Sequence, residues 1–267
     1  SMLQIIEDIL YGRELKKVYD LSADYENIKY PFPRRHYLPK ERIVNNQFFK
    51  LIDINATSTL FSHGCCYNCA FCANYTPRKI IRRTPKEVEE ELNYLVKEYN
   101  IKGLSMLDEV SVPLTVEDAV PYFNVIKKFN LKWRGQSRIN IPPEVLKLAK
   151  ETGCTELSFG VESCSQSVIS IIKKGINLEQ VRKTVKACKD AGIKVGINLV
   201  NGVPGEPENI VQLTKDFIRE INPDMVFLFS LCLYPGSPIG SNPEYYGINP
   251  DSIDRDYSKY NHVVRRG

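Results

Sequence analysis

Thr57-Ser58-Thr59-Leu60-Phe61-Ser62-His63-Gly64-Cys65-Cys66-Tyr67-Asn68-Cys69-Ala70-Phe71-Cys72 opens as a short β-prone run and passes straight into a cysteine-rich loop. Beyond it, strand-like and helix-like stretches take turns about every 35–45 residues, the alternation that argues a parallel sheet with crossover helices. Leu104–Leu107, Lys132–Ser137, Glu156–Val161, Val195–Val200 and Asp224–Ser230 read as the later strands. Thr84 starts the first strong helix, with Pro85 at its first position and Glu87 completing a Thr-x-x-Glu capping box. Val88, Leu92, Leu95 and Val96 give that helix one apolar face. Thr115 opens a second helix, with Val120, Phe123, Val125 and Ile126 on its core side. Pro142 and Pro143 open a third through Ala149, closed by Gly153. Asn177 caps another helix, ended by Gly192, and one more runs through Phe217 and Ile218. The run 224–230 is nearly continuous apolar sequence, as a strand buried on both faces requires.

These elements predict an α/β chain: a partial (β/α)6 TIM-like barrel of parallel strands, with right-handed crossovers placing the helices outside. An N-terminal extension and a C-terminal tail flank it. Residues 1–50 carry no strand–helix repeat. Within them, Ile5–Lys16 reads as a helix, and Tyr30–Pro39, rich in proline and aromatics, reads as an extended linker-like wrap over the barrel. Residues 51–240 hold the barrel, and residues 241–267 form the tail. Barrels of this kind place their active sites at the C-terminal ends of the strands. A loop that follows the first strand falls at that end.

The composition sets bounds. An apolar fraction of 43% and a charged fraction of 25% over 267 residues are ordinary for a soluble globular protein of one or two domains. The net charge of +4 is too small for a nucleic-acid signature. No apolar run approaches the roughly 18 residues a membrane span needs. No secretory segment is present, Ser1-Met2 reads as a tag scar before a native start, and the scattered cysteines fit a reducing cytoplasm. The basic pairs Arg34-Arg35, Arg82-Arg83 and Arg265-Arg266 read as solvated surface.

Cys65, Cys69 and Cys72 follow the spacing Cys-x3-Cys-x2-Cys. Three thiolates in one short loop suit three irons of a [4Fe–4S] cluster and leave the fourth iron open to chemistry, as an open position does on a catalytic zinc. Two other readings compete. A structural zinc site wants paired knuckles, and Cys66-x2-Cys69 supplies one; Cys154, Cys164, Cys188 and Cys232 supply no second. A ferredoxin-like set of Cys66, Cys69 and Cys72 lacks a nearby fourth cysteine.

The motifs at the strand ends extend the pattern. Ser105-Met106-Leu107-Asp108-Glu109 ends the second strand, and Trp133-Arg134-Gly135-Gln136-Ser137-Arg138 the third. Phe159-Gly160-Val161-Glu162-Ser163 ends the fourth, followed by Lys173-Lys174-Gly175. Gly202-Val203-Pro204-Gly205-Glu206 follows the fifth, and Tyr234-Pro235-Gly236-Ser237-Pro238 the sixth. In this order, with Phe71 as the aromatic before the last cysteine, the motifs resemble the radical S-adenosylmethionine (radical SAM) superfamily over roughly residues 57–240. Asp108-Glu109 resembles the acidic form of the second-strand motif in the cobalamin-dependent branch. Tyr30–Pro39 resembles the linker that joins a cobalamin-binding domain to the barrel in that branch. The approximately 29 residues before it are too few for such a domain, so the resemblance leaves cobalamin open.

The resemblance selects Cys65, Cys69 and Cys72 as cluster ligands over Cys66. It implies that SAM chelates the open iron and that Asp108 or Glu109 accepts hydrogen bonds from its amino group. Arg138 would clamp a carboxylate, with a surface arginine as the bland alternative. Glu162 and Ser163 would face the ribose or methionine portion. Asn198 would bond the adenosine portion, or else be satisfied by backbone, and Pro204 belongs to the Gly-x-Pro-Gly-Glu turn beside it. For Lys173 and Lys174, of the Lys-Gly step, solvated side chains are the alternative reading. The implied activity is reductive cleavage of SAM by an oxygen-sensitive [4Fe–4S] cluster, giving a radical that takes hydrogen from an unreactive carbon of a small molecule. A flavodoxin or ferredoxin would supply the electron. Methyl transfer and aminocarboxypropyl transfer are alternative outcomes. A non-catalytic iron–sulfur or zinc module is the alternative of another class.

Overall fold

The structure, a computed structural model, describes residues 2–17, 19, 33–45, 54–73 and 78–253. It divides into two compact units, residues 1–31 and 32–267. In the first, α1 (Met2–Leu10) is closed by Gly12, whose left-handed φ of 62° ends the helix earlier than the expected Ile5–Lys16 span. Asp8 accepts hydrogen bonds from the Tyr19 hydroxyl at 2.6 Å and from Arg13 at 3.3 Å.

The second unit begins with a 3-10 turn at Arg35–Tyr37 and α2 (Lys40–Ile43). Of the expected extended wrap over Tyr30–Pro39, residues 30–32 lie outside the described residues, and Arg35–Tyr37 is coiled rather than extended. β1 (Ala56–Thr59) leads into β2 (Ser62–His63), which pairs antiparallel with β3 (Ile81–Arg82). The repeat then runs α3 (Pro85–Tyr99), β4 (Gly103–Met106), α4 (Val116–Lys128), β5 (Lys132–Ser137), α5 (Pro143–Glu151) and β6 (Cys154–Glu162). It continues through α6 (Gln166–Ile171), α7 (Leu178–Asp190), β7 (Lys194–Asn201), α8 (Ile210–Ile221), β8 (Met225–Ser230) and α9 (Pro238–Ser241). The short helices α6 and α9 were not anticipated. Six strands form one parallel sheet in the order β1-β4-β5-β6-β7-β8, the strand set of a partial TIM-like barrel. No helix among the described residues is long and apolar enough to cross a membrane.

Local chemistry sets the element ends. Thr84 accepts from Glu87 N at 3.2 Å and Glu87 accepts from Thr84 N at 2.7 Å, so the capping box at α3 is complete. Asn177 and Gln180 do the same at α7, at 2.8 and 2.9 Å. After α5 the chain needs Gly153 twice over. Its φ is 98°, and a Cβ there would lie 2.1 Å from the Leu131 carbonyl oxygen.

One face of the sheet packs under the helices. Leu104, Trp133, Leu157, Phe159 and Ile197 are fully buried there, beside Leu92, Leu95, Ile126 and Val185 from the helices. Each such side chain contributes on the order of 1.5–3 kcal/mol. Register puts the other residues in rows on the opposite face, such as Gln136 with Ser158 and Gly160 with Asn198.

Further expectations are corrected. The run 224–230 does form the sixth strand, but it is an edge of the sheet, and Val226, Leu228 and Phe229 are each about two-fifths exposed (39%, 40% and 39%). The basic pairs are not simply solvated surface either. Arg34 is exposed, whereas Arg35 is buried and donates to Glu91 at 2.6 Å and to the Ser58 carbonyl at 3.0 Å. Arg82 is half-buried, and Arg83 donates to the second oxygen of the same Glu91. Glu91 is fully buried, which only a counterion makes tolerable. Arg265-Arg266 lies outside the described residues.

Candidate active site

The cysteine loop is gripped before it begins. Asp108, two residues beyond β4, accepts hydrogen bonds at one oxygen from Phe61 N at 3.1 Å, from Ser62 N, and from the Ser62 hydroxyl at 2.6 Å. Burial drives its carboxyl up to about 6 despite those hydrogen bonds. Its neighbour Glu109 is exposed and reaches His63 Nδ1 at 3.5 Å.

The loop is held from below as well. Ala70 donates to the Ile172 carbonyl at 2.8 Å, and Ile239 donates to the Ala70 carbonyl at 2.9 Å. Ala70, Val168, Ile172, Val203 and Ile239 form one buried apolar cluster, with Phe71 and Val200 packed on it. Segments that follow β6, β7 and β8 therefore meet under this loop, including Val203 of the Pro204 turn and Ile239 of α9. Cys69 is buried, Cys65 and Cys72 are half-buried, and Cys66 is exposed. Burial pushes the Cys65 thiol up, opposed by a hydrogen bond from the Tyr67 backbone. Among the described residues, no three His, Cys, Asp or Glu side chains gather closely enough to hold one metal ion. The loop thus offers three soft donors of the type iron–sulfur clusters take, without drawing them together.

Arg138, one residue beyond β5, is no surface arginine. It is 5% exposed, its guanidinium lies 3.5 Å from the Tyr67 ring centroid, and it reaches Cys69 Sγ at 3.8 Å. Its other terminal nitrogen donates to the Lys174 carbonyl. Four buried polar atoms at the ends of β1, β4 and β5 have no partner among the described residues: Thr59 Oγ1, Asp108 Oδ2, Ser137 Oγ and Arg138 Nε. An orphaned buried polar atom costs about 1–3 kcal/mol, so such a group beside the loop fits a site built for a polar ligand.

The end of β6 departs from strand geometry. Pairing with β7 shifts register between Gly160 and Glu162, and Glu162 adopts a left-handed φ of 71°. Its carboxylate meets Lys174 Nζ at 2.7 Å, with both side chains 9% exposed. Lys174 is therefore buried and paired rather than solvated, while Lys173 is exposed. Ser163 is buried and accepts from Ser165 N at 3.2 Å. Asn198 accepts from the Ser158 hydroxyl at 3.2 Å, a side-chain partner rather than a backbone one. Pro204 is half-buried in a turn bounded by the left-handed Gly202 and Gly205. Lys174, Tyr67 and Ser62 were not singled out as site residues from sequence. The Lys-Gly motif was the only available signal for the first.

The structure brings Cys69, Phe71, Arg138 and Glu162 into one neighbourhood through Lys174. Asp108 and Glu109 sit on the approach to the loop, and Asn198 keeps to its own strand pair. Comparison with known proteins agrees with this architecture. A family model described as the radical SAM superfamily matches residues 59–218. An "uncharacterized methyltransferase" of Pyrococcus horikoshii is 27% identical over 96% of this chain and 58% of its own length. The cytidylyl-2-hydroxyethylphosphonate methyltransferase of Streptomyces wedmorensis is 25% identical over 89% of this chain and 46% of its own. Among solved structures, the radical SAM methyltransferase TsrM from Kitasatospora setae, described with cobalamin and a [4Fe–4S] cluster bound, gives a TM-score of 0.60. It is 18% identical and covers 76% of this chain and 43% of that one. The chain spans about half the length of the curated relatives it matches. Its match over more than half its residues places it in the radical SAM superfamily, whose members are enzymes that use a [4Fe–4S] cluster and SAM.

Proposed function

We propose that residues 51–240 are a catalytic barrel that binds a [4Fe–4S] cluster on Cys65, Cys69 and Cys72 and cleaves SAM reductively to start radical chemistry on a small molecule. Residues 1–50 serve as its linker-like lead and 241–267 as a tail. The observation that carries this reading is the set of four unpartnered buried polar atoms at the ends of β1, β4 and β5, next to a three-thiol loop. When bound, the cluster supplies the electron that breaks a C–S bond of SAM. The chain's own residues do the rest. Asp108 fixes the entry to the loop through Phe61 and Ser62, and its free oxygen, with Glu109, receives the SAM ammonium. Arg138 keeps a cation beside Cys69 and offers Nε to a carboxylate. Glu162, Ser163 and Asn198 serve the ribose and adenosine side, with Pro204 shaping the turn beneath.

Methyl transfer is the second reading, favoured by the names of both curated relatives; it adds cobalamin as a further cofactor. A flavodoxin or ferredoxin in a reducing cytoplasm is the electron source, and neither nucleic acid nor membrane is a partner. Anaerobic protein should contain about four irons and four sulfides per chain and change its EPR signal when SAM is added. Zinc without iron and without a SAM response would instead mark a structural module. After reduction with SAM, 5′-deoxyadenosine marks hydrogen abstraction and S-adenosylhomocysteine marks methyl transfer. Methylthioadenosine marks aminocarboxypropyl transfer.

A further inference from the structure

The turn after α6 holds a buried cation to which the reading above gives no task. Lys174 Nζ lies 2.7 Å from Glu162 Oε1 and 5.8 Å from the centre of the Phe71 ring. The pair sits directly over Gly160. A Cβ on Gly160 would stand 2.3 Å from Glu162 Oε1 and 2.8 Å from Lys174 Nζ. The backbone around Lys174 is tied to the cysteine loop twice. The Ile172 carbonyl accepts from Ala70 N at 2.8 Å, and the Lys174 carbonyl accepts from Arg138, which itself reaches Cys69 Sγ at 3.8 Å. Lys174 thus touches the end of β6 through its side chain and reaches the loop indirectly, through Arg138 on its carbonyl. Left-handed backbone at Lys173 and Gly175, φ 51° and 69°, makes the tight turn that aims it inward.

We infer that Lys174 is a positioning residue for SAM, acting through Glu162. Its ammonium fixes Oε1 of Glu162 and leaves Oε2 to the hydroxyl donors of the ribose. This rests on the radical SAM reading, in which Glu162 serves that part of the cofactor. A carboxylate is a stronger acceptor for two neighbouring hydroxyls than a carboxylic acid is. Without its cation, the buried carboxylate loses the contact that holds it in that orientation.

The test compares K174M, K174R, E162Q and the double variant E162Q/K174M as anaerobic, iron-loaded proteins. Calorimetry gives the dissociation constant for SAM, and thermal unfolding is followed in parallel. K174M and E162Q should each weaken SAM binding roughly tenfold to a hundredfold, the worth of one charged hydrogen bond. The double variant should be no weaker than E162Q alone, and K174R should recover part of the loss. Wild-type SAM affinity in a folded K174M, even with lowered stability, overturns the inference and leaves the lysine merely structural. Additive losses in the double variant overturn it too. If K174M does not fold, the double variant against E162Q decides the matter, since removing both charges leaves neither buried alone. Wild-type protein that binds no SAM overturns the superfamily reading of the site, an outcome distinct from a K174M that matches a SAM-binding wild type.

Discussion

β1 and β8 are the two edges of one parallel sheet, and they are finished in opposite ways. β1 is closed over. The Ala56 carbonyl accepts from Asn45 N at 2.7 Å, and the Ser58 carbonyl accepts from Arg35 at 3.0 Å. Arg35 and Arg83 share the two oxygens of buried Glu91, and Arg83 N donates to the Phe61 carbonyl at 2.9 Å. β8 has apolar side chains but is left open among the described residues, with Val226 and Leu228 two-fifths exposed. The difference follows function more than hydropathy. The locked edge leads within six residues to Cys65, where small displacements would move the proposed ligands. The open edge leads to no proposed ligand.

The largest effect should come from the loop that the locked edge delivers. Cys65→Ala should lower SAM cleavage by more than about a hundredfold, beyond what an outer-shell change costs, with iron content falling alongside. Cys66→Ala should keep both within about twofold, since Cys66 is the exposed cysteine of the loop. Anaerobic reconstitution with iron analysis and 5′-deoxyadenosine assay separates them. The reverse result would make Cys66 the ligand.

Next comes the lock itself. Glu91→Ala leaves Arg35 and Arg83 buried without their counterion and should cost about 3–5 kcal/mol in urea unfolding. A loss below about 1 kcal/mol would show that the two edges differ in appearance rather than in energy.

The features legible in the sequence were those whose partners lie close along the chain. Thr84 with Glu87 and Asn177 with Gln180 are three residues apart, so the first capping box and the Asn177 cap were readable in advance. The cysteine spacing was readable for the same reason, and the order of the strand-end motifs through its resemblance to a family pattern. Arg35 and Glu91 are 56 residues apart and Lys174 and Glu162 are 12 apart, so their lysine and arginine read as surface. Hydropathy misjudged 224–230 because it reports what a strand can bury, not whether neighbours arrive to cover it. The partners of Asp108 and Arg138 were hidden similarly, since Ser62 and Tyr67 meet them only through the sheet.

Asp108 tests the exit of the locked edge by pH. Its folded value of about 6 exceeds the ordinary 3.8, so between these pH values the folded protein binds more protons than the unfolded chain. Its contribution is fully present below about pH 4 and is lost as pH rises through 6, up to about 3 kcal/mol. Other carboxylates titrate in the same window, so the observable is the difference between wild type and Asp108→Asn. The asparagine keeps an oxygen for Phe61 and Ser62 but cannot ionise. Urea unfolding from pH 4 to 7 should show the wild type losing stability relative to the variant. A constant difference would mean that Asp108 ionises normally.

The smallest effect belongs to the open edge, where it also decides whether the edge is open in solution. Val226 on β8 pairs with Ile197 on β7, and Val195 lies on that same inner strand. Val195 is fully buried, so Val195→Thr buries a hydroxyl and should cost about 1–3 kcal/mol. Val226→Thr makes the same chemical change where water already reaches the side chain, and should stay within about 0.5 kcal/mol. Equal losses in urea unfolding would mean that β8 is covered in solution, and the contrast between the two edges would then fail at β8 rather than at β1.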